Sequence, residues 1–452
     1  MTLLGTNDWL GTSPLFYHEK THRISTDLEA VLDLRSLEFD PDGLRDYLDF
    51  GYCVFGHTPV RHVRFLTPGK ALHRSASGTL EETLGADPSD AILEGETRET
   101  EVIEQLREAV AAWEEKVAGT IVLPLSGGLD SRFLASMIRT PSRVRTFTYG
   151  ISDRPERSSE VVFAREVAAR LQLPWEQVQL NFIHSHLDAW DNLFGIATHA
   201  HGMYHFDFYT QIRARLAATP NLLSGIVGDA WAGSIAPTPA VSPEDLLKFG
   251  HTHGSDARDL NCRLRHTGAW RAQYWEEHRK RLAHPTQQVV EIIRLKMMLL
   301  RYLLRLPLAL GFTPWSPFTD SELSLAMVRL PAARRKERRW QHDYFARCGL
   351  DLRGMKSDRQ NSLDYRAIIA SPPPPLDVRR LSELFDPNEI TAINDTVCRP
   401  RQAALFLGWI HTCPRGFGVA RRFKLPNPIE RAYARYMVLR PLDQLLARRD
   451  IA

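Results

Sequence analysis

Ten consecutive residues carry the chemistry most easily read from this sequence: Leu123-Pro124-Leu125-Ser126-Gly127-Gly128-Leu129-Asp130-Ser131-Arg132. An apolar run leads into the serine and a helical pattern follows, so the segment reads as a loop between a strand and a helix. Amides left free at a helix N-terminus make an anion site. Adjacent glycines let the main chain curl and approach a phosphate with no Cβ in the way. Ser126 and Ser131 add hydroxyl donors, and Asp130 could hold Mg²⁺ against phosphate oxygens. The Gly-Lys-Ser/Thr ending of the Walker loop is missing, so this is a different phosphate cradle. The plain alternative is a glycine-rich turn on a surface loop.

The elements around the loop decide between these. A helix is predicted over about Thr97 to Ala118, then a short apolar strand from Thr120 to Leu125 and a helix over Ser131 to Ile138. Val144 to Gly150 reads as the next strand, Ser158 to Leu171 as the next helix, and Asn221 to Gly225 as a further strand. Strands separated by helices indicate a parallel sheet with crossover connections. Residues 1–96 read as short strands and turns, with helical spacing over Leu28 to Leu34 and Pro41 to Asp49 and a surface connection over Ser75 to Gly95. After about residue 240 the pattern is mainly helical, interrupted by an extended proline run at Ser371 to Pro375.

Composition narrows the function classes. The chain has 452 residues, 57 basic against 54 acidic, for a net charge of +3. That balance does not call for a nucleic acid or a membrane as partner. Only nine of the basic residues are lysines, which shortens the set of catalytic candidates. The five cysteines (53, 262, 348, 398 and 413) fall at no metal-ligand spacing, as expected of a chain in a reducing cytosol. No export signal is visible, and the most apolar stretch, 289–310, carries Arg294, Lys296, Arg301 and Arg305. A cytoplasmic protein is expected.

The Ser-Gly-Gly-Leu-Asp-Ser loop, in its strand–loop–helix context, resembles the pyrophosphate loop of ATP pyrophosphatases. Ser224-Gly225-Ile226-Val227-Gly228-Asp229 resembles the second nucleotide loop of the asparagine synthetase family within that group. Phe147 to Gly150 with Ser159-Glu160, and Pro317-Phe318-Thr319-Asp320 with Leu330-Pro331, resemble further segments of that family. So do Gly11 to Tyr17, Leu28 to Leu32 and Tyr47 to Gly69, which match the closing part of its amino-terminal domain.

The resemblance implies an α/β fold: an adenine-nucleotide α-hydrolase-like domain over 97–452, with a nucleotide-binding core at 97–240 and a helical part at 241–452. A small, mostly β, truncated and inactive Ntn-hydrolase-like (glutaminase-like) domain would precede it at 1–96. It also implies that ATP is held by Leu123, Ser126, Gly127, Gly128, Asp130, Ser131, Tyr149, Gly150 and Gly225. Mg²⁺ would be shared by Asp130 and Asp229. Lys356 would join Asp130 as a catalytic residue, stabilising charge on the α-phosphate and the departing pyrophosphate; Lys336, in the basic run 334–339, is its competitor.

The sequence also departs from the family. A glutamine-hydrolysing member carries Cys after the initiator Met, whereas position 2 here is Thr and no cysteine precedes Cys53. About a hundred residues precede the synthetase region, which the resemblance makes too few for a complete glutaminase domain. Thr2 as an amino-terminal nucleophile is the weaker alternative. Ile226 and Thr313 replace two acidic positions of the family, and neither is a general base at neutral pH. Aspartate amidation and β-lactam closure become less favoured than lasso-peptide cyclisation. There the peptide's own amine, with a pKa of about 8, needs less help from a base.

The expected activity is therefore AMP-forming amide ligation of a peptide or small-molecule carboxylate to an amine. A leader-peptide-binding protein or a protease would be a possible partner. The alternatives are amidation of a small-molecule or saccharide acid by external ammonia or amine, and a non-catalytic homologue that binds a partner. His199, His201 and His205 are open among a metal site, a cleft lining and ordinary packing. Trp231 is open between core and acceptor pocket. The substrates, the oligomeric state and the role of 377–452 cannot be read, apart from helical stretches and the basic run Arg421 to Lys424.

Overall fold

In the computed structural model of the chain, residues 1–93, 95–150, 154–181, 183–250, 257–358, 363–400, 402–412, 422 and 427–452 are described. Cys413 and, Arg422 apart, the basic run at 421–424 lie outside them.

Short runs of apolar and β-branched residues build the central sheet. Its strands are β7 (Ile121–Pro124), β8 (Val144–Thr148), β9 (Trp175–Gln177), β10 (Asn221–Leu223) and β11 (Thr313–Trp315). They lie in the order β11-β10-β7-β8-β9, and every pair is parallel. Ile121 is level with both Val144 and Asn221, and Asn221 with Thr313. The chain runs outward from β7 through β8 and β9, then returns to the other side of β7 for β10. That reversal places a crevice beyond the carboxyl ends of β7 and β10, where open parallel sheets bind ligands.

The helices between these strands follow the spacing of the sequence. The helix before β7 spans Glu99–Lys116, the one after it Leu129–Ala135, and the one after β8 Ser159–Arg170. The sequence pattern missed β9 and β11, which at three residues each are too short to show a period.

The first ninety residues hold two small antiparallel sheets, one of β1 (Thr2–Thr6), β5 (Lys70–Arg74) and β6 (Leu80–Leu84), the other of β2 (Phe16–His18), β3 (Ile24–Ser25) and β4 (Val63–Phe65). The stretch expected as a surface connection thus contributes β6, where Leu80 to Leu84 pair with Lys70 to Arg74. The helical spacing at Leu28 to Leu34 gives only two 3₁₀ turns, Glu29–Val31 and Leu34–Ser36, each followed by an extended residue (Leu32 and Leu37). Pro41–Phe50 is a full helix, because Asp40 caps it by accepting from the Gly43 amide at 2.7 Å and Gly51 ends it in the left-handed region.

Phe16, Leu44, Tyr47 and Phe50 share one core with Trp190, Tyr436 and Leu446, so the front segment is packed into the body of the molecule. A second core lies against the sheet, from Val102 and Phe133 to Trp231 and Trp340. The apolar stretch 289–310 divides into helices Pro285–Leu300 and Tyr302–Ala309, and no helix among the described residues is long and apolar enough to cross a membrane.

Candidate active site

Both loops singled out in the sequence open into the crevice. The strand β7 ends at Pro124, Gly127 turns in the left-handed region (φ +69°), and Gly128 caps the helix Leu129–Ala135. A Cβ on Gly127 would overlap Cβ of Phe163 and come within 2.7 Å of the Ala164 amide, so only glycine lets the loop pack on the helix Ser159–Arg170. The loop is held in shape by its own serines: the Ser126 amide donates to Ser131 Oγ at 3.2 Å, and Gly128 donates to Ser126 Oγ at 3.3 Å. From β10, Ser224 is fixed by its amide to the Trp315 carbonyl at 2.8 Å, which brings Gly225 within 3.6 Å of Asp130 Cβ, counted from where its own Cβ would be.

A cavity of about 360 Å³ lies between the loops. Ser126, Gly128, Asp130, Ser131, Tyr149 and Gly225 line it, as the resemblance implied. Leu123, Gly127 and Gly150 stand behind the wall. Leu123 belongs to the sheet core, and Gly150 is glycine because a Cβ there would strike the Pro155 carbonyl. His205, Phe208, Tyr209 and Glu160 complete the lining, and Ile226 adds an apolar face.

Asp130 is the pivot of the electrostatics. Burial raises its carboxyl to about 7; Arg338 pulls it down and Asp229 pushes it up. Asp130 and Asp229 are therefore close enough to feel each other, and Asp229 also accepts from Ser234 Oγ at 2.9 Å. Two hard carboxylates beside a phosphate-type loop are a fit donor pair for Mg²⁺. In this structure the cation at Asp130 is Arg338, ion-paired with it. Burial lowers the pKa of Lys296, on the helix Pro285–Leu300, and the charge of Asp229 offsets only part of that.

Other expectations find different places. Lys356 is exposed and lines neither this cavity nor the neighbouring one. Lys336 lines the neighbouring cavity instead. Thr313 is exposed at the start of β11, level with Asn221, at the end of the strand away from the loops; a side chain there does not reach the crevice. The three histidines do not work as a set. His199 is packed against the Gly51 carbonyl (Nδ1 to O 2.7 Å), His205 faces the cavity, and among the described residues no group of three ligands could hold a metal. Trp231 is core, stacked on Trp9 with ring centroids 5.8 Å apart and donating to the Phe318 carbonyl at 2.9 Å. Arg338 and Glu160 were missed as site residues, although Glu160 stood in a quoted segment and Arg338 in the basic run.

A family model described as asparagine synthase matches residues 101–347, more than half of the chain and all of the crevice-forming strands. The chain belongs to the asparagine synthase family. Membership makes it an ATP-using enzyme of the carbon–nitrogen ligase type. Among solved structures, an NH3-dependent NAD synthetase from Campylobacter jejuni in complex with nitrate is similar at 14% identity, with a TM-score of 0.25, over 46% of this chain and 96% of that one. No curated protein matches the sequence.

Proposed function

We propose that the protein is an AMP-forming amide ligase that adenylates a substrate carboxylate and passes the acyl group to an amine, with peptide macrolactam closure as its product class. The observation that carries this reading is the cavity at the sheet's switch point, where the phosphate loop, Asp130 and the second loop converge. ATP binds there with its phosphates toward the loop amides. A carboxylate oxygen attacks the α-phosphorus, the bond to the β-phosphate breaks, and pyrophosphate leaves. The amine nitrogen then attacks the acyl carbon, AMP departs with the oxygen, and one proton passes from nitrogen to a base. Activation divides a poor displacement into two easier ones.

Mg²⁺, held by Asp130 and Asp229, would neutralise charge on the phosphate oxygens. The resemblance assigns a lysine role to Lys356, but Arg338 is the cation that stands at the phosphate loop in this arrangement. Ile226 gives the second half-reaction no base, and Glu160, a carboxylate that lines the cavity, is the group proposed to accept the amine's proton. The proposed reaction does not draw its amine from glutamine hydrolysis within the described residues. Cys53 is buried, donates to the Ile196 carbonyl at 3.3 Å, and has its thiol pushed up by burial, while Thr2 lies in the edge strand β1.

The test is ATP–pyrophosphate exchange with candidate carboxylates, peptides among them, in wild type and Asp130→Asn. Carboxylate-dependent exchange, abolished in the variant while nucleotide-free folding persists, supports the reading. A wild-type protein that binds no ATP sinks it.

A further inference from the structure

A second, larger cavity of about 900 Å³ adjoins the first across the Asp130–Arg338 pair. Leu129 from the phosphate-loop helix forms part of its wall, facing Ile235, Pro237, His284 and the segment Arg335 to Arg338. Its charged lining is mostly basic: Arg329, Arg335, Lys336 and Arg338 against Glu96 and Glu337. Glu337 lies 3.7 Å from Arg339, a cation outside that lining.

Arg335 is the unusual member. Its residue is only 8% exposed, and its Nη1 donates to the Val328 carbonyl at 3.3 Å. Its Nε and Nη2 have no hydrogen-bond partner among the described residues. Burial lowers its pKa to about 10, with no carboxylate among the described residues to offset it. Two other buried arginines with lowered pKa values rest over aromatic rings, Arg132 over Phe345 and Arg301 over Phe16 and Phe194. Arg335 has no such compensation, and a buried guanidinium without a counter-charge is strongly unfavourable. Its main chain is also fixed: Gly233 (φ +120°) allows the Arg335 carbonyl to approach where any Cβ would block it. A rigid, desolvated, unpaired guanidinium beside a cavity is arranged to meet an anion from outside the chain.

We propose that this cavity is the site of the carboxylate-bearing substrate and that Arg335 pairs with an anionic group of that substrate. Its size distinguishes the ligand from the pyrophosphate end of ATP, because a cavity of about 900 Å³ suits an organic acid or acidic peptide segment. The position follows from the chemistry: the acid must approach the α-phosphorus beside the loop, and this cavity reaches the loop at Leu129. The inference rests on the ligase reading given above.

The test uses the full chain, loaded with Mg²⁺ and a non-hydrolysable ATP analogue, titrated calorimetrically with citrate as a polycarboxylate probe and separately with pyrophosphate. Citrate is expected to bind the loaded protein and to weaken roughly 10-fold in Arg335→Gln, with nucleotide affinity unchanged. Arg335→Lys should recover part of the loss, and Lys336→Gln, an exposed change at the rim, should show a smaller one. Thermal unfolding adds a readout that a structural role would move the other way: Arg335→Gln is expected to keep or raise the melting temperature, since it removes an unpaired buried charge. Citrate binding that is absent or indifferent to Arg335→Gln overturns the proposal. So does a fall of several degrees in melting temperature, or pyrophosphate binding that depends on Arg335 and is displaced by nucleotide. Failure of the wild type to bind the nucleotide would instead overturn the ligase reading itself.

Discussion

The guanidinium of Arg338 meets the carboxylate of Asp130 across 208 residues of sequence. Both Glu337 and Arg338 take up left-handed backbone (φ +55° and +56°) on the way, and Arg338 Nε also donates to Gln341 Oε1 at 2.8 Å. The pair stands where the nucleotide cavity and the basic cavity meet.

Replacing Arg338 by Met is expected to lower ATP–pyrophosphate exchange by about 10²-fold, the scale of losing one charge-stabilising donor at a developing anion. The change should fall mainly on the maximal rate. Full exchange in Arg338→Met would show that another cation carries the leaving group.

Gly127 and Gly225 both belong to the nucleotide loops but differ in room. Gly127→Ala forces a Cβ into Phe163 and Ala164 at a positive φ and should destabilise the fold by about 2 kcal/mol or more, with loss of nucleotide binding. Gly225→Ala meets nothing nearer than 3.6 Å and should stay within about 1 kcal/mol of wild type. Denaturant unfolding of the two variants side by side checks the contrast.

Glu160→Gln separates the two half-reactions. Exchange should persist, because the proton transfer assigned to Glu160 belongs to the second half-reaction, while amide formation should fall roughly 10²-fold through loss of the base. Raising the pH should recover part of the rate, as more of the amine is already neutral. Equal loss of both half-reactions would assign Glu160 to substrate binding.

Glu291 provides a pH test of stability. Burial pushes its carboxyl up, but the His278 hydrogen bond and the charges of Arg294 and Arg281 outweigh burial and hold it at about 2, against an ordinary value of 4.5. The unfolded chain therefore binds the proton more readily, so the stabilisation is complete above pH 4.5 and is lost as the pH falls toward 2. Its size is on the order of 3 kcal/mol. Urea unfolding at several pH values should show this slope in wild type and not in Glu291→Gln. The variant should also be less stable at neutral pH by about 3–5 kcal/mol, because Arg281 and Arg294 lose a buried counter-charge.

The sequence by itself determined what contiguous residues encode. Ser126 to Ser131 declared a phosphate loop, since paired glycines, flanking hydroxyls and a strand-to-helix switch are all local. The alternation from Ile121 to Leu223 declared a parallel sheet for the same reason, and the helical spacing of Pro41 to Asp49 declared a helix. The three-residue strands β9 and β11 were not read, because so short a run has no period, while β10 showed through the longer apolar run Asn221 to Gly225. Nor were the walls of the site read in full. Glu160 and His205 stood in segments the sequence singled out, but Arg335 and Arg338 come to the site only through packed helices, and nothing in their immediate neighbours distinguishes them from residues on a solvated face. Lys356 and Thr313 show the converse: each has a persuasive sequence context, and the fold leaves one exposed in a loop and the other at the far end of an edge strand. Local chemistry wrote the cradle, and tertiary packing chose which charges would face it.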